Sequence, residues 1–418
     1  MQFRVETFLN QFLAPGATRA DAVFSLSAQG GGAANATRRL VGLIADKSGS
    51  MEGNKMQALK HALRVAVDQM DGLTEAFVLA FDFSPKLLLP PTLMDEAGRR
   101  TAHAAIQRME AGGGTVMSAA LDAARQMFQQ RPGVLGQAIM LTDGQNDHTD
   151  AVPLERVLDA CAGVFQADCR GVGTDWSALQ LRVIAAKLLG TAQLVAEPAG
   201  MAKDFQDTMA VALSKSVGGV RLRLWMPKNA RLVSVKQAFP TEIDLTSQVR
   251  PVDSRAVDIP LGAWGEGSQD YFATFDLTPL GVGEQMLVCR PSIVWRDGTT
   301  DATAAGGNVT VTWTSDAGLT TRIDAQVAHY SGQAEKARAI QDGLEAMERH
   351  DDATATMHLG RAMQLAEQSG DAETTRRLRE VVEPGAEPGT LRLKRGAGKV
   401  AVLDLDVGST RTVRAKRD

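Results

Sequence analysis

Apolar positions along the chain follow two different rhythms, and the change between them divides it. From about residue 35 to 217, short unbroken apolar runs alternate with stretches whose apolar positions recur every three to four residues. Val41-Gly42-Leu43-Ile44-Ala45 is one such run, and Met56, Leu59, Leu63 and Val67 follow it at helical spacing. The pattern predicts strands over 40–45, 76–82, 137–142, 167–172 and 192–196. It predicts helices over 54–70, 96–110, 117–130, 153–164, 176–189 and 201–215. Strands alternating with helices imply βαβ units, so the expected fold class is α/β, a doubly wound, mostly parallel, Rossmann-like sheet. Ala76-Phe77-Val78-Leu79-Ala80-Phe81 is apolar throughout, as a strand covered on both faces requires.

Over 218–330 the helical spacing gives way to short alternating runs, such as Val220-Arg221-Leu222-Arg223-Leu224-Trp225 and Val309-Thr310-Val311-Thr312-Trp313. Turn residues separate them (Pro227, Gly262, Asp297-Gly298), which predicts an antiparallel β-sandwich. Residues 1–34 hold one alternating run, Ala22 to Ala28, and a Gly30-Gly31-Gly32 joint. A lone strand is unstable, so this one is expected to pair with the sandwich. Residues 331–383 return to helical spacing and predict a short helical hairpin region. Pro384-Gly385-Ala386-Glu387-Pro388-Gly389-Thr390 reads as a linker, and 384–418 as a flexible, locally basic C-terminal tail.

Composition narrows the class. The chain has 418 residues, 44% hydrophobic and 22% charged, which suits several globular regions rather than one. A formal charge of −4 gives no general reason to expect nucleic-acid binding. Three cysteines, Cys161, Cys169 and Cys289, form no paired framework, which suggests a reducing compartment. The N-terminus lacks the layout of a signal peptide, and no apolar run reaches the length of a membrane span. A cytoplasmic location without membrane association is the expectation.

The chemistry concentrates where apolar strands end. Asp46 closes the run 41–45, and Ser48 and Ser50 follow at alternating positions. Ligands of open α/β sheets bind at the carboxyl ends of strands. One carboxylate and two hydroxyls offer hard oxygen donors that suit Mg²⁺ or Mn²⁺. The plainer alternative is that Asp46 caps the following helix and the serines shape a turn. Two companions accompany the motif: Gly112-Gly113-Gly114-Thr115 before a second helical pattern, and Ala138 to Thr142 running into Asp143-Gly144. Together, D-x-S-x-S, a distant Thr after a Gly-rich turn and a later T-D-G resemble a von Willebrand factor A (VWA) domain with its metal-ion-dependent adhesion site. The resemblance covers roughly residues 35–215. It implies Asp46, Ser48, Ser50, Thr115 and Asp143 as ligands of a Mg²⁺ or Mn²⁺ ion, and a partner protein that supplies a carboxylate to that ion. Nearby, Asp82 reads as a turn carboxylate, His148 as a solvated loop residue and Trp176 as core.

Three functions compete. The first is a metal-dependent protein-binding module. The second is the same site serving as co-factor of a MoxR-like AAA+ ATPase, as VWA partners of such machines do. The third is a metal-assisted hydrolase, which the sequence disfavours: no G-x-S-x-G, H-E-x-x-H or P-loop is present, and no general base stands at a defined spacing. The expectation is therefore a non-enzymatic protein. Thr410 and Thr412 lie between an acidic run and basic residues. On a mobile tail they would suit a Ser/Thr kinase and a phosphothreonine-reading forkhead-associated (FHA) partner, and the tail resembles those of bacterial VWA proteins found beside such signalling systems.

Overall fold

A computed structural model describes residues 1–30, 38–297, 300–385, 391–394 and 396–415. The chain divides into two compact units, one of Gly32–Gly218 with Gly262–Gly265, the other of Met1–Gly31, Gly219–Leu261 and Glu266–Asp418.

The first unit is built on a six-stranded sheet in the order Pro85–Leu93, Thr74–Phe81, Arg39–Asp46, Leu135–Thr142, Gln166–Val172, Ala192–Val195. All neighbours are parallel except Pro85–Leu93, which returns antiparallel along the edge. The central strand is apolar because helices cover both its faces: Leu40, Val41, Leu43, Ile44 and Ala45 are at most 1% exposed. Gly42 is required there, since a Cβ would lie 2.4 Å from the Phe77 ring. On one face Met56, Leu59, Leu63 and Val67 of the helix Asn54–Asp68 pack with Val41, Leu43, Met201 and Phe205. The strand Pro85–Leu93 lies where the hydrophobic pattern predicts none. Its three prolines, Pro85 at its start and Pro90 and Pro91 within it, are compatible with an edge position, where a missing N–H breaks no central ladder.

The second unit carries two largely antiparallel sheets. One runs Gln2–Leu9, Arg19–Gln29, Gly267–Leu277, Ala230–Phe239, Ile243–Asp244. The N-terminal strand Arg19–Gln29 is thus held on both sides, with Phe24 opposite Tyr271. The other sheet runs Arg250–Pro251, Ala256–Trp264, Val217–Trp225, Gln285–Asp297, Val309–Trp313, Phe12–Leu13, with Thr300–Ala305 paired to Gln285–Asp297. After the short helical turn Ala317–Thr320 come the helices Ala325–Glu348, Asp352–Ser369, Ala372–Val381 and Lys399–Gly408. Aspartates cap the helices starting at Ala325, Asp352 and Ala372, with Asp324, Asp351 and Asp371 each accepting from a backbone N–H of the first turn. Ile340, Leu344, Leu359, Ala362, Leu378, Val381 and Leu405 form their common core.

The expectation of a flexible tail over 384–418 is corrected. Val382–Pro384 and Leu391–Leu393 form a small antiparallel pair, and Lys399–Gly408 is a helix with Leu405 and Val407 buried. Its charges find partners: Arg414 lies on the buried Asp270, Arg392 on Glu383, and Asp404 receives Arg377. Gly31-Gly32 of the proposed joint, residues 386–390 of the proposed linker, Arg395 and residues 416–418 lie outside the described residues. Among the described residues no helix is long and apolar enough to cross a membrane. Cys161, Cys169 and Cys289 are buried free thiols, and burial pushes the first two up to about 12.

Within the helical region Lys336 and Asp371, 1% and 3% exposed, form a buried ion pair. Burial alone would raise the Asp371 carboxyl, but the Lys336 ammonium and the Thr374 N–H outweigh it and hold the carboxyl below its usual range. Burial pushes Lys336 toward its neutral form. The pair's net worth is therefore small, while breaking it leaves an unmatched buried charge. Asp371 is more acidic folded than unfolded, so its contribution is full above about pH 4 and is lost as pH falls through the folded value. We expect Lys336→Met to lower stability by about 3–5 kcal/mol in denaturant unfolding at neutral pH. The deficit should shrink in acid, where Asp371 protonates.

Candidate metal centre

Asp46 is the last residue of the central strand, and its neighbours end at the same level: Asp46 pairs with Phe81, and Ala45 with Leu141. Its carboxylate is fully buried. Oδ1 accepts the Ser48 N–H at 2.7 Å, which closes the turn, and Oδ2 accepts the Thr142 hydroxyl at 2.6 Å. The Ser48 and Ser50 hydroxyl oxygens are 3.1 Å apart, and Ser50 donates to Asp143 Oδ1 at 2.6 Å. Asp143, also fully buried, takes the Lys55 ammonium on Oδ2. Thr115 closes the group. A Cβ added to Gly144 would lie 3.2 Å from Thr115 Oγ1 and 3.8 Å from Ser50 Oγ. The five residues singled out from the sequence thus converge on one point, and Ser50 is exposed there.

Backbone bonds hold the three loops in place. Gly49 N–H donates to Gly113 O at 3.0 Å, Gly112 N–H to Lys47 O at 2.7 Å, and Asp147 N–H to Thr115 O at 2.9 Å. Gly113 has φ of 88°, and a Cβ on it would meet Asp82 at 2.7 Å, so the Gly-rich turn demands glycine twice over. Asp82 is tied to this turn: Lys47 donates to its carboxylate, and Ser84 N–H lies at 2.9 Å. Partial burial would raise the Asp82 carboxyl, but these bonds, led by Lys47, hold it below the usual range.

Burial pushes the Asp46 carboxyl up, and the nearby Asp143 adds to this, against the bonds from Thr142 and Ser48. Two buried carboxylates and three hydroxyls therefore meet with Lys55 as a neighbouring cation. Among the described residues no group of three or more His, Cys, Asp or Glu gathers, so a cation at this point would depend on hydroxyl oxygens. Such a donor set fits a hard divalent ion.

Three partners were not foreseen. Thr142 orients Asp46, Lys55 neutralises Asp143, and the buried Asp150 accepts the Ser118 N–H and hydroxyl at the start of the helix Met117–Gln129. Thr142 was visible as part of T-D-G. No sequence signal linked Lys55 with Asp143. Asp147 caps its own short turn through Thr149, His148 is exposed, and Trp176 is 3% exposed with its ring against Gly171. Thr410 and Thr412 belong to the other unit. Thr410 O accepts the Glu242 N–H at 2.7 Å, and the Thr412 hydroxyl donates to Ala238 O at 2.6 Å. They lie on a docked segment rather than on a mobile tail.

Residues 41–145 match the family model of the von Willebrand factor type A domain, and residues 364–409 that of the von Willebrand factor type A C-terminal domain. The solved structure of a von Willebrand factor type A protein from Catenulispora acidiphila is 37% identical. The match covers 99% of this chain and 97% of that one, with a TM-score of 0.95. The ArnB paralog VWA2 from Sulfolobus acidocaldarius shares the fold at 11% identity, with a TM-score of 0.64 over 98% of each chain. An uncharacterized protein of Synechocystis sp. is 27% identical over 49% of this chain and 50% of its own length. The E3 ubiquitin-protein ligase WAV3 of Arabidopsis thaliana is 31% identical over 25% of this chain and 14% of its own. The chain thus matches half or less of these two curated relatives.

Lys55 already satisfies one oxygen of Asp143 and places a positive charge beside the other donors. We expect Lys55→Met to tighten Mg²⁺ or Mn²⁺ binding by about tenfold, ~1.4 kcal/mol, in calorimetric titration, with Lys55→Arg near wild type.

Proposed function

The chain belongs to the von Willebrand factor type A family, and from that premise we propose that it is a metal-dependent protein-binding module. The observation that carries this reading is the meeting of Asp46, Ser48, Ser50, Thr115 and Asp143 at the carboxyl end of the parallel sheet, with Ser50 exposed. These residues would hold a Mg²⁺ or Mn²⁺ ion. Bound there, the ion supplies an electropositive point for an oxygen of a partner's Asp or Glu. The chain's own residues do the rest. Ser48 N–H and the Thr142 hydroxyl fix both oxygens of Asp46, and Ser50 and Lys55 fix both of Asp143. Only two of the five side chains are anionic, so they just balance a dication, and the Lys55 ammonium on Asp143 makes the local sum positive toward a partner.

The reading includes no catalytic step. Each oxygen of the two carboxylates already accepts a hydrogen bond, so neither is presented as a free general base. A cytoplasmic location belongs to the same proposal and draws on three free cysteines in a chain of 418 residues. The partner is assigned by chemistry alone, as a protein offering a carboxylate. The Thr412 hydroxyl donates to Ala238 O within the fold, so no phosphothreonine handle is proposed at that residue.

Calorimetric titration of Mg²⁺ and Mn²⁺ into wild type and Asp46→Ala, with thermal melts alongside, tests the reading. Wild type should bind and melt higher, gaining about 2.7 kcal/mol at an ion concentration 100 times Kd. Asp46→Ala should bind neither ion. Absence of binding by both proteins, or equal binding by both, would overturn it.

A further inference from the structure

The strand Val217–Trp225 has two faces of opposite character. Val220, Leu222 and Leu224 point inward, at most 1% exposed, while Arg221, Arg223 and Trp225 alternate with them on the other face. In the antiparallel register with Gln285–Asp297, Arg290 stands directly opposite Trp225, and Ser292 opposite Arg223. The Arg290 guanidinium lies 5.2 Å from the centroid of the Trp225 ring, and that of Arg255 lies 5.6 Å from it. One partly exposed indole therefore carries two cations.

The other arginines of this face are occupied. Arg223 forks onto Asp258 at 2.7 and 2.9 Å, and Arg221 reaches Asp301 at 2.5 Å. Arg255 and Arg290 are both exposed, and neither has an acidic partner among the described residues. An open groove of about 500 Å³ lies beside the ring, lined among others by Arg223, Trp225, Asp253, Arg290, Ser292 and Thr303. Asp253 puts one negative charge at its rim. Its Oδ1 accepts the Arg255 and Ala256 N–H groups at 2.7 and 2.9 Å, within its own turn.

We propose that this groove is a docking surface for a short acidic segment of a partner protein, whose carboxylates pair with Arg255 and Arg290 and whose chain lies over Trp225. Stacking on an indole restricts a guanidinium and leaves its N–H fork free for a carboxylate. Tryptophan and arginine are also the residue types that dominate binding energy at protein interfaces. The two cations share one ring instead of being spread over the sheet, which matches closely spaced carboxylates. A groove of this volume takes a few residues rather than a folded body. Recognition here uses no divalent ion, so it is independent of the metal-dependent reading.

The test is titration of a hexaglutamate peptide into the full-length protein at low ionic strength, read by calorimetry and tryptophan fluorescence, with and without EDTA. Arg255→Gln/Arg290→Gln and Arg255→Glu/Arg290→Glu are compared, their folding checked by thermal melting. Binding that EDTA leaves unchanged, that the Gln pair weakens about tenfold or more and the Glu pair abolishes, and that falls with added salt would support the proposal. Absence of binding by wild type, or equal binding by the folded Gln variant, would overturn it. Equal competition by inorganic phosphate would also overturn it, in favour of a small-anion site.

Discussion

A carboxylate at the buried end of a central strand must be matched, and much of the candidate site follows from how Asp46 is matched. Strands flank it on both sides and water does not reach it. A buried carboxylate left without donors would cost several kcal/mol or take up a proton. Here the Ser48 N–H closes the D-x-S turn onto one oxygen, and the Thr142 hydroxyl crosses from the next strand to the other. The same bonds that lessen the burial cost therefore set the position of the motif.

The second buried carboxylate, Asp143, is handled differently. Ser50 and Lys55, both from the segment that follows Asp46, reach across to it. The two strand ends are thereby joined through side chains, while backbone bonds from Gly49 to Gly113 and from Gly112 to Lys47 bring in the third loop. Five oxygen-bearing residues from three distant parts of the chain then share one small space. Glycines at 113 and 144 leave room for them: a side chain at 113 would displace Asp82, and one at 144 would crowd Thr115.

The other unit shows the same principle at a second buried acid. Asp270 is 1% exposed and is met by Ser25 from the N-terminal strand at 2.5 Å, by Tyr330 from the helix Ala325–Glu348 at 2.5 Å, and by Arg414 from the chain's last described segment. Ala415 is buried with Tyr330, Val327, Val23 and Phe272. A segment whose composition reads as a solvated tail is thus fixed by one charge, a few backbone bonds and a small apolar contact. Burial at the same place raises the Tyr330 hydroxyl, and its bond to Asp270 adds to this.

The sequence by itself determined the parts that depend on local spacing. Burial on both faces forces continuous apolar runs, so the parallel strands were readable. One-face burial forces helical or alternating periods, so the helices and the antiparallel region were readable too. The D-x-S-x-S turn is local, and its three residues could be named together. Tertiary structure alone decided the pairings that span long separations. Lys55 meets Asp143 across 88 positions, and Ser25 meets Asp270 across 245. It also decided the fate of the C-terminal segment, where Leu403-Asp404-Leu405-Asp406-Val407 alternates like a strand yet lies in a helix, and Ala415 has no apolar neighbour in sequence to announce a strap. Only the surfaces that receive them, built from residues far away in the chain, make their burial favourable. A charged side chain carries no mark in the sequence of which distant opposite charge it will meet, because that choice is made by the packing of the elements between them.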